Sequence, residues 1–522
     1  MPGDTEQMQL IDSLRNPAVY PHPVSRIEVF ETHISWIILT GEYAYKLKKP
    51  VDFGFLDFTT LEQREYFCHE ELRLNQRLAP DIYLEVLAIG GTPDAPVFGA
   101  TESILEYAIK MQQFDPKERL DLLLAGHQFK PEWIYKLAKQ IAKFHRKVPI
   151  IAPDSPLGEP ETIWEVVSDN FSHISNTVNT LDDCHRVQVL LQKTAQLFRR
   201  LTPLIEQRKL DGHVRECHGD LHLANITLYN GELRLFDCIE FNPRFSWIDT
   251  ISDLAFLLMD LEANGEFSLA NRCLNHYLEL LGDYEALPLL NFYKSYRAMV
   301  RAKVAVLGPH LDLPGMRHYL SLTEHYANRQ QPVLYLMQGL SGSGKSFLSE
   351  LMLQRSPLIR LRSDVERKRL FKQLSKKGVS LDLYGPQMNL YTLNHLLELS
   401  QRLLKAGLSV VVDATFIRRG SRRMFIEMAE QFKAKVQIIA CRCDEETLIQ
   451  RLTDRQQVGK DASDADVKVM QQQQIHLQAL TESEELLTRY INTTDAQALN
   501  RFLDQLPALK PVLVTDTGLQ NP

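Results

Sequence analysis

The octapeptide Gly339-Leu340-Ser341-Gly342-Ser343-Gly344-Lys345-Ser346 leaves the last third of this 522-residue chain few folds to adopt. It follows an apolar run at 333–337 and opens a segment of helical periodicity. Glycines at these positions let successive backbone N–H groups turn inward around an anion. The pattern therefore predicts a nucleotide-phosphate loop: the backbone from Gly339 through Ser341, Gly342, Ser343 and Gly344 cradles the α- and β-phosphates. Lys345 reaches the β- and γ-phosphates, and the Ser346 hydroxyl ligates Mg²⁺.

Around that loop, apolar strand-like runs at 333–337, 358–362, 408–413 and 436–441 alternate with helical segments. Such alternation predicts a parallel sheet covered by helices on both faces. In such a sheet the carboxyl ends of the strands share one crevice. Asp364, just after the second run, is placed to accept the proton of an attacking hydroxyl, or else to cap a helix. Asp413, ending the third run, is placed to hold the magnesium shell or to orient substrate. Arg362, Arg367, Arg422, Arg451 and Arg455 are candidates to grip phosphate or acceptor oxygens with their guanidinium forks.

A second constellation lies upstream, at His218-Gly219-Asp220-Leu221-His222-Leu223-Ala224-Asn225. After it come an Asn230-Gly231 turn, the run 233–236 and Asp237. Kinase-like phosphoryl transfer uses one Asp as proton acceptor, an Asn five residues on for magnesium, and a further Asp beyond the next hairpin. Asp220, Asn225 and Asp237 have that spacing. A lysine from the third strand should bind the phosphates: Lys46 and Lys48 lie on one face, and the Ala44-x-Lys46 spacing favours Lys46. Its acidic partner on the next helix is taken as Glu71, with Glu70 and Glu65 as alternatives. Glu106, in Glu106-Tyr107-Ala108, is expected to begin the hinge against adenine.

Strand-like segments at 27–31, 34–40 and 42–48, a helix at about 60–78, and a strand at 103–111 precede a mostly helical stretch. That order predicts a two-lobed, protein-kinase-like first domain over residues 1–326. The polar, proline-ended segment 327–332 is read as a linker, and residues 332–522 as the P-loop domain. Residues 332–522 hold 26 Lys and Arg against 21 Asp and Glu, leaving 33 against 45 for residues 1–331. The halves thus carry about +5 and −12, a contrast that points to different partners. Seven cysteines without a Cys-x-x-Cys spacing read as buried or free thiols. The N-terminus lacks a cationic start and apolar core, and no apolar run is long enough for a membrane span, so a cytoplasmic protein is expected.

The two motif sets carry family resemblances. His218-Gly219-Asp220-Leu221-His222 with Asp237 resembles the aminoglycoside phosphotransferase and choline kinase group over about residues 30–300. It lacks a Gly-rich loop between the first two strands, where Thr32-His33-Ile34 stands. The P-loop, Arg362-Ser363-Asp364, Asp413-Ala414-Thr415-Phe416 with Arg422, and Asp461-Ala462-Ser463-Asp464-Ala465 look like the small P-loop kinases over about residues 332–500. Those include gluconate kinase, polynucleotide 5′-kinases and zeta-type toxins. The order of the two units resembles a bacterial family of fused proteins. The resemblance implies Asp364 as general base, Arg422 as a substrate contact, and Arg451 or Arg455 in the lid.

The leading expectation is a bifunctional ATP- and Mg²⁺-dependent phosphotransferase, each domain acting on a hydroxyl of a small molecule or nucleotide. One alternative makes the C-terminal domain a polynucleotide 5′-kinase, served by the basic clusters at 360–377 and 418–423. The other makes the chain an ATP-binding regulator of a protein partner.

Overall fold

The computed structural model describes residues 2–308, 310–328, 331–458 and 463–509. The chain divides into two compact units that interleave in sequence. The first comprises residues 1–136, 143–169 and 202–260; the second comprises residues 137–142, 170–201 and 261–522.

The first unit opens with the helix Pro2–Ser13 and then forms a six-stranded antiparallel sheet. Its strands are β1 (Glu28–Glu31), β2 (Ser35–Leu39), β3 (Tyr43–Lys48), β4 (Tyr83–Thr92), β5 (Ala95–Phe98) and β6 (Ile104–Gln112), in the spatial order β1-β2-β3-β6-β4-β5. The helix Leu61–Asn75 packs on β6 and β4. It starts at a capping box, with Thr60 and Gln63 each satisfying the other's backbone N–H, so two donors that a helix end leaves orphaned are paired. Ala44, Cys68, Ile82, Tyr83 and Ile109 form the core between helix and sheet. On the opposite face, Leu10, Leu14 and Tyr20 cover Ile38, Tyr45 and Leu47.

The same unit contains β7 (Val214–Glu216), β8 (Ile226–Tyr229), β9 (Glu232–Leu235) and β10 (Trp247–Asp249). β7 pairs with β10, and β8 with β9. Asn230 and Gly231 turn the β8–β9 hairpin with φ of 51° and 76°, the left-handed pair that a two-residue hairpin needs. This hairpin sets Asp237 directly beyond the loop that bears Asp220.

The second unit is built on a five-stranded, wholly parallel sheet: β11 (Val333–Gln338), β12 (Leu358–Arg362), β13 (Ser409–Asp413), β14 (Lys435–Arg442) and β15 (Thr488–Asn492). Its order is β12-β13-β11-β14-β15, so the topology reverses direction around β11 and opens a crevice at the strands' carboxyl ends. Both expected fold classes are thus present: a protein-kinase-like fold and a P-loop fold.

Among the strands that the sequence reading did not anticipate are β4, β5, β15 and the short pair β7 and β10. The hairpin β4–β5 passes through Gly90 and Gly91, which interrupt the apolar alternation. Gly90 is required there, because a Cβ would come 2.5 Å from that of Ala100. β15 is an edge strand with little burial, so it carries almost no hydrophobic signal. Among the described residues no helix is long and apolar enough to cross a membrane, and all seven cysteines are free thiols.

Candidate functional site

In the first unit, Lys46 and Lys48 alternate with Tyr45 and Leu47 along β3, so both ammonium groups share the face of Ala44 and meet the helix Leu61–Asn75. Lys46 Nζ donates to Glu71 Oε1 at 2.7 Å and to Asp237 Oδ1 at 2.8 Å. Lys48, fully buried, donates to Glu71 Oε2 at 2.7 Å and to Glu240. Glu71 is therefore bridged by two lysines. Burial alone would raise its pKa, but the two ammonium groups outweigh that and hold it below the usual carboxylate range. Burial pushes the Glu240 carboxyl upward, with Lys48 opposing only in part. The alternative acid Glu70 pairs with Arg73 at 2.7 Å.

The loop below is fixed from its backbone. Asp253 Oδ1 accepts from the Gly219 N–H at 2.9 Å, while Oδ2 accepts from the His218 N–H at 3.2 Å and lies 3.0 Å from His145 Nε2. His218 Nε2 is 2.9 Å from the Phe236 carbonyl, and its Nδ1 accepts from the Asp220 N–H at 3.3 Å. These partners require the neutral Nε2–H tautomer, and burial accordingly lowers the His218 pKa. Asn225 Nδ2 donates to Asp220 Oδ2 at 2.9 Å, and His222 Nε2 stands 3.2 Å from the same oxygen. Asp237 adopts a φ of 63°, an uncommon conformation for a non-glycine residue. Lys46, Glu71, Asp237, Asp220 and Asn225 thus belong to one unit and surround one loop-and-strand junction. Hard oxygen donors from Asp220, Asn225 and Asp237 are the ligand types that magnesium takes.

Glu106 is not in a connection. It pairs with Ile89 inside the sheet, and its buried carboxylate accepts from Arg64 Nε at 2.9 Å and from Gln7 Nε2 at 2.8 Å. A backbone engaged in the β4–β6 ladder is not free to meet a base, which corrects the hinge expectation for Glu106. The connection that follows β6 begins at Gln113. Between β1 and β2, Thr32 Oγ1 accepts from the Ser35 N–H at 2.9 Å, closing that turn on itself.

In the second unit, Gly339, Gly342 and Gly344 hold φ values of 144°, 87° and 85° at the end of the central strand. A Cβ on Gly339 would stand 2.6 Å from Ser343 Oγ, and one on Gly344 2.8 Å from Thr493 Oγ1, so side chains would fill the cradle. Ser343 Oγ is buried without a hydrogen-bond partner. Lys345 Nζ folds onto the loop's own carbonyls, 3.0 Å from Gly339 O and 2.8 Å from Leu340 O. Burial lowers its pKa, with Asp413 opposing. The glycine cradle, an orphaned hydroxyl and a desolvated ammonium suit a polyanion. Ser341 lies in the same loop and its N–H donates to Gln473 Oε1 at 2.8 Å; Ser346, exposed, begins the helix Lys345–Arg355.

The β12–β13 register sets Arg362 opposite Asp413, and Arg362 Nε is 3.9 Å from Asp413 Oδ2. Ser349 Oγ donates to the same oxygen at 3.4 Å. Asp364 lies in the first turn of the helix Ser363–Lys376. Arg367, also on that helix, donates to Asn389 Oδ1 at 2.5 Å and lies over the Tyr384 ring. Arg451 reaches Thr493 Oγ1 at 2.9 Å and Gly342 O at 3.4 Å, beside the P-loop, and Arg455 reaches Ala465 O at 2.5 Å. Of the motif at 461–465, residues 461 and 462 lie outside the described residues; Asp464 pairs with Lys368.

Arg422 requires correction. It is wholly buried, and its guanidinium is consumed: Nε and Nη2 bind Glu484 at 2.7 and 3.0 Å, and the remaining donors reach the carbonyls of Phe416, Gln478 and Ala479. With every N–H engaged, none is left for a substrate; Arg422 instead clamps the chain after β13 to the segment before β15. The sequence reading missed Glu240, His145 and Asp253, and weighed Lys48 as the alternative to Lys46. The three missed residues act from loops and helices with no motif spacing.

A family described as an AAA domain matches residues 334–480. Proteins of Mycobacterium tuberculosis and Mycobacterium bovis, both described as uncharacterized, are 29% identical to this chain over 458 residues, covering 85% of it and 89% of their own length. Among solved structures, a choline kinase from Cryptosporidium parvum aligns with 62% of this chain and 94% of its own at 11% identity and a TM-score of 0.41. A gluconokinase from Sinorhizobium meliloti aligns with 34% of this chain and 96% of its own at 19% identity and a TM-score of 0.24.

Proposed function

We propose that the chain carries two ATP-dependent phosphotransferase centres, each moving the γ-phosphoryl group to a hydroxyl acceptor, one in residues 1–326 and one in residues 332–522. The observation that carries the reading is Lys46, held between Glu71 and Asp237 above the loop of Asp220 and Asn225. In the first centre Lys46 binds phosphate oxygens, Glu71 orients it, and Asp220 takes the acceptor proton. Asn225 and Asp237 hold Mg²⁺.

In the second centre the amides from Gly339 to Gly344 and Lys345 bind the phosphates, and Ser346 and Asp413 hold the metal. Asp364 takes the proton. Arg362 and Arg367 face the acceptor, and Arg451 or Arg455 closes over the phosphates. In both centres Mg²⁺, when bound, supplies neutralisation of the phosphate charge.

The polynucleotide reading draws less support. Of its basic clusters, Arg360 pairs with Glu279, Arg369 with Glu366, Arg422 with Glu484 and Arg423 with Glu427, so much of that charge is internally neutralised. The deciding experiment measures ATP consumption by wild type, Asp220→Ala and Lys345→Ala proteins against sugars, aminoglycosides, nucleosides and 5′-hydroxyl oligonucleotides. An acceptor whose turnover is abolished by only one variant assigns that centre. Nucleotide binding without stimulation by any acceptor favours the regulatory reading instead.

A further inference from the structure

β3 carries two lysines on one face, and only Lys46 has a part in the chemistry so far. The ammonium group of Lys48 is fully buried, and among the described residues it meets two carboxylates and one ring: Glu71 Oε2 at 2.7 Å, Glu240, and the Phe58 ring centroid at 4.8 Å. Burial works against its charge, but Glu240 and Glu71 outweigh that and hold the Lys48 pKa above the ordinary lysine value. Lys48 is therefore a permanent cation inside the protein.

Glu71 is equally enclosed, its side chain 0% exposed, and among the described residues its carboxylate has no donors besides the two ammonium groups. Each oxygen takes one: Oε1 faces Lys46 and Oε2 faces Lys48. An ammonium group has three N–H donors, and Lys46 spends one on Glu71 and one on Asp237. Without Lys48, Oε2 would be left buried and unsatisfied, a costly state where solvent does not reach. The carboxylate would then turn both oxygens on Lys46 and draw that lysine back toward the helix. Lys48 can prevent this only if it is itself anchored, and Glu240 is the anchor. The backbone leading to Glu240 is fixed without help from Lys48: the Cys238 N–H donates to Asn75 Oδ1 at 2.9 Å, and the Ile239 N–H to the His218 carbonyl at 3.0 Å.

We propose that Lys48 is a positioning residue for the first centre: anchored by Glu240, it holds Oε2 of Glu71, so that Glu71 gives Lys46 a single oxygen and leaves that ammonium's other donors on the side of Asp237. The assignment rests on the reading of Lys46 as the phosphate-binding lysine and Glu71 as the acid that orients it. The second lysine of β3 is then a support that acts through Glu71.

The test uses the full chain carrying Lys345→Ala, so that nucleotide binding reports the first centre, with a fluorescent ATP analogue and Mg²⁺. Lys48→Met alone would strand Glu240 as well as Glu71, so it is combined with Glu240→Gln, which removes the second buried charge together with the first. This double variant is expected to weaken nucleotide binding about tenfold, a coupling of the size found within one salt-bridge network. Glu71→Gln alone should weaken binding by a similar factor. Adding Glu71→Gln to the double variant should bring it within about twofold of Glu71→Gln alone, because Lys48 acts through Glu71. Losses that multiply overturn the proposal, as does an unchanged affinity beside a lowered melting temperature, which makes Lys48 merely structural. An acyl phosphate of ATP gives a second reading on the parent protein, since a lysine amine beside the phosphates takes the acyl group as an amide and releases ATP. Mass spectrometry should find the label on Lys46; label on Lys48 makes it the phosphate-binding lysine and overturns the proposal. If Lys46→Met leaves nucleotide binding unchanged, the reading of the first centre itself falls, and this inference with it.

Discussion

Lys46 Nζ stands 2.8 Å from Asp237 Oδ1 across 191 positions of chain, and the same ammonium holds Glu71 at 2.7 Å. The contact joins the sheet that would carry the nucleotide to the loop that would carry the metal. Lys46→Met is expected to lower transfer by the first centre by about 10²- to 10³-fold, the scale of losing one preorganised electrostatic contact. Steady-state assays with Lys345→Ala as background check it, and an unaltered rate removes Lys46 from the site.

Lys345→Ala should abolish nucleotide binding at the P-loop while leaving the first centre's turnover intact, because the two lysines lie in different compact units. Parallel binding titrations of Lys46→Met and Lys345→Ala read this directly. Equal loss at both centres from either variant contradicts independent sites.

Arg422→Ala should destabilise the second unit by about 3–5 kcal/mol, since it strands a buried Glu484 carboxylate without its partner. Calorimetry should show the fall in one transition. A variant that keeps its melting behaviour but loses acceptor affinity would restore Arg422 to the substrate site.

Gly219→Ala should disable the first centre. At φ 89° a Cβ would stand 2.7 Å from the Phe245 carbonyl, and the strain falls on the residue before Asp220. The expected cost is about 1–3 kcal/mol, with activity lost at this centre only. Circular dichroism melts beside assays of both centres distinguish the outcome.

His218 gives the first unit an acid limit. Burial depresses its pKa, so the unfolded chain binds the proton more readily than the folded one. The stability it contributes is complete above the ordinary histidine value of about 6.5 and is lost progressively as pH falls below it. Melting temperatures measured from pH 8 to 5 should decline at the acid end, and His218→Gln should flatten that decline. An unchanged slope in the variant assigns the decline to other groups.

The P-loop and the Asp220–Asn225–Asp237 spacing were legible because local backbone geometry demands them: glycines where φ is positive, and a two-residue turn that fixes the step from Asn225 to Asp237. The choice of Lys46 over Lys48 was nearly undecidable from spacing, since both lie on one face of β3; only the position of Asp237 separates them. Glu106 looked like the start of a connection because the hairpin β4–β5 was not seen, and without it β6 had no neighbour to place Glu106 in mid-sheet. Arg422 matched a motif, yet the segment around Gln478 and Glu484 comes back to consume its donors.

Sequence alone determined the two motif sets, the alternation of strand and helix around the second, and the order of the two folds. Each is written in short-range periodicity or in residues whose backbone conformation is restricted. Tertiary structure alone decided which charges are spent inside the protein and which face a crevice: Arg422 on Glu484, Glu106 on Arg64, Asp253 beneath His218 and Gly219, and Glu279 beside Arg360 and Arg362. These pairings join residues 34 to 83 positions apart. A charge's partner is set by where the chain returns in space, a relation that no local pattern encodes.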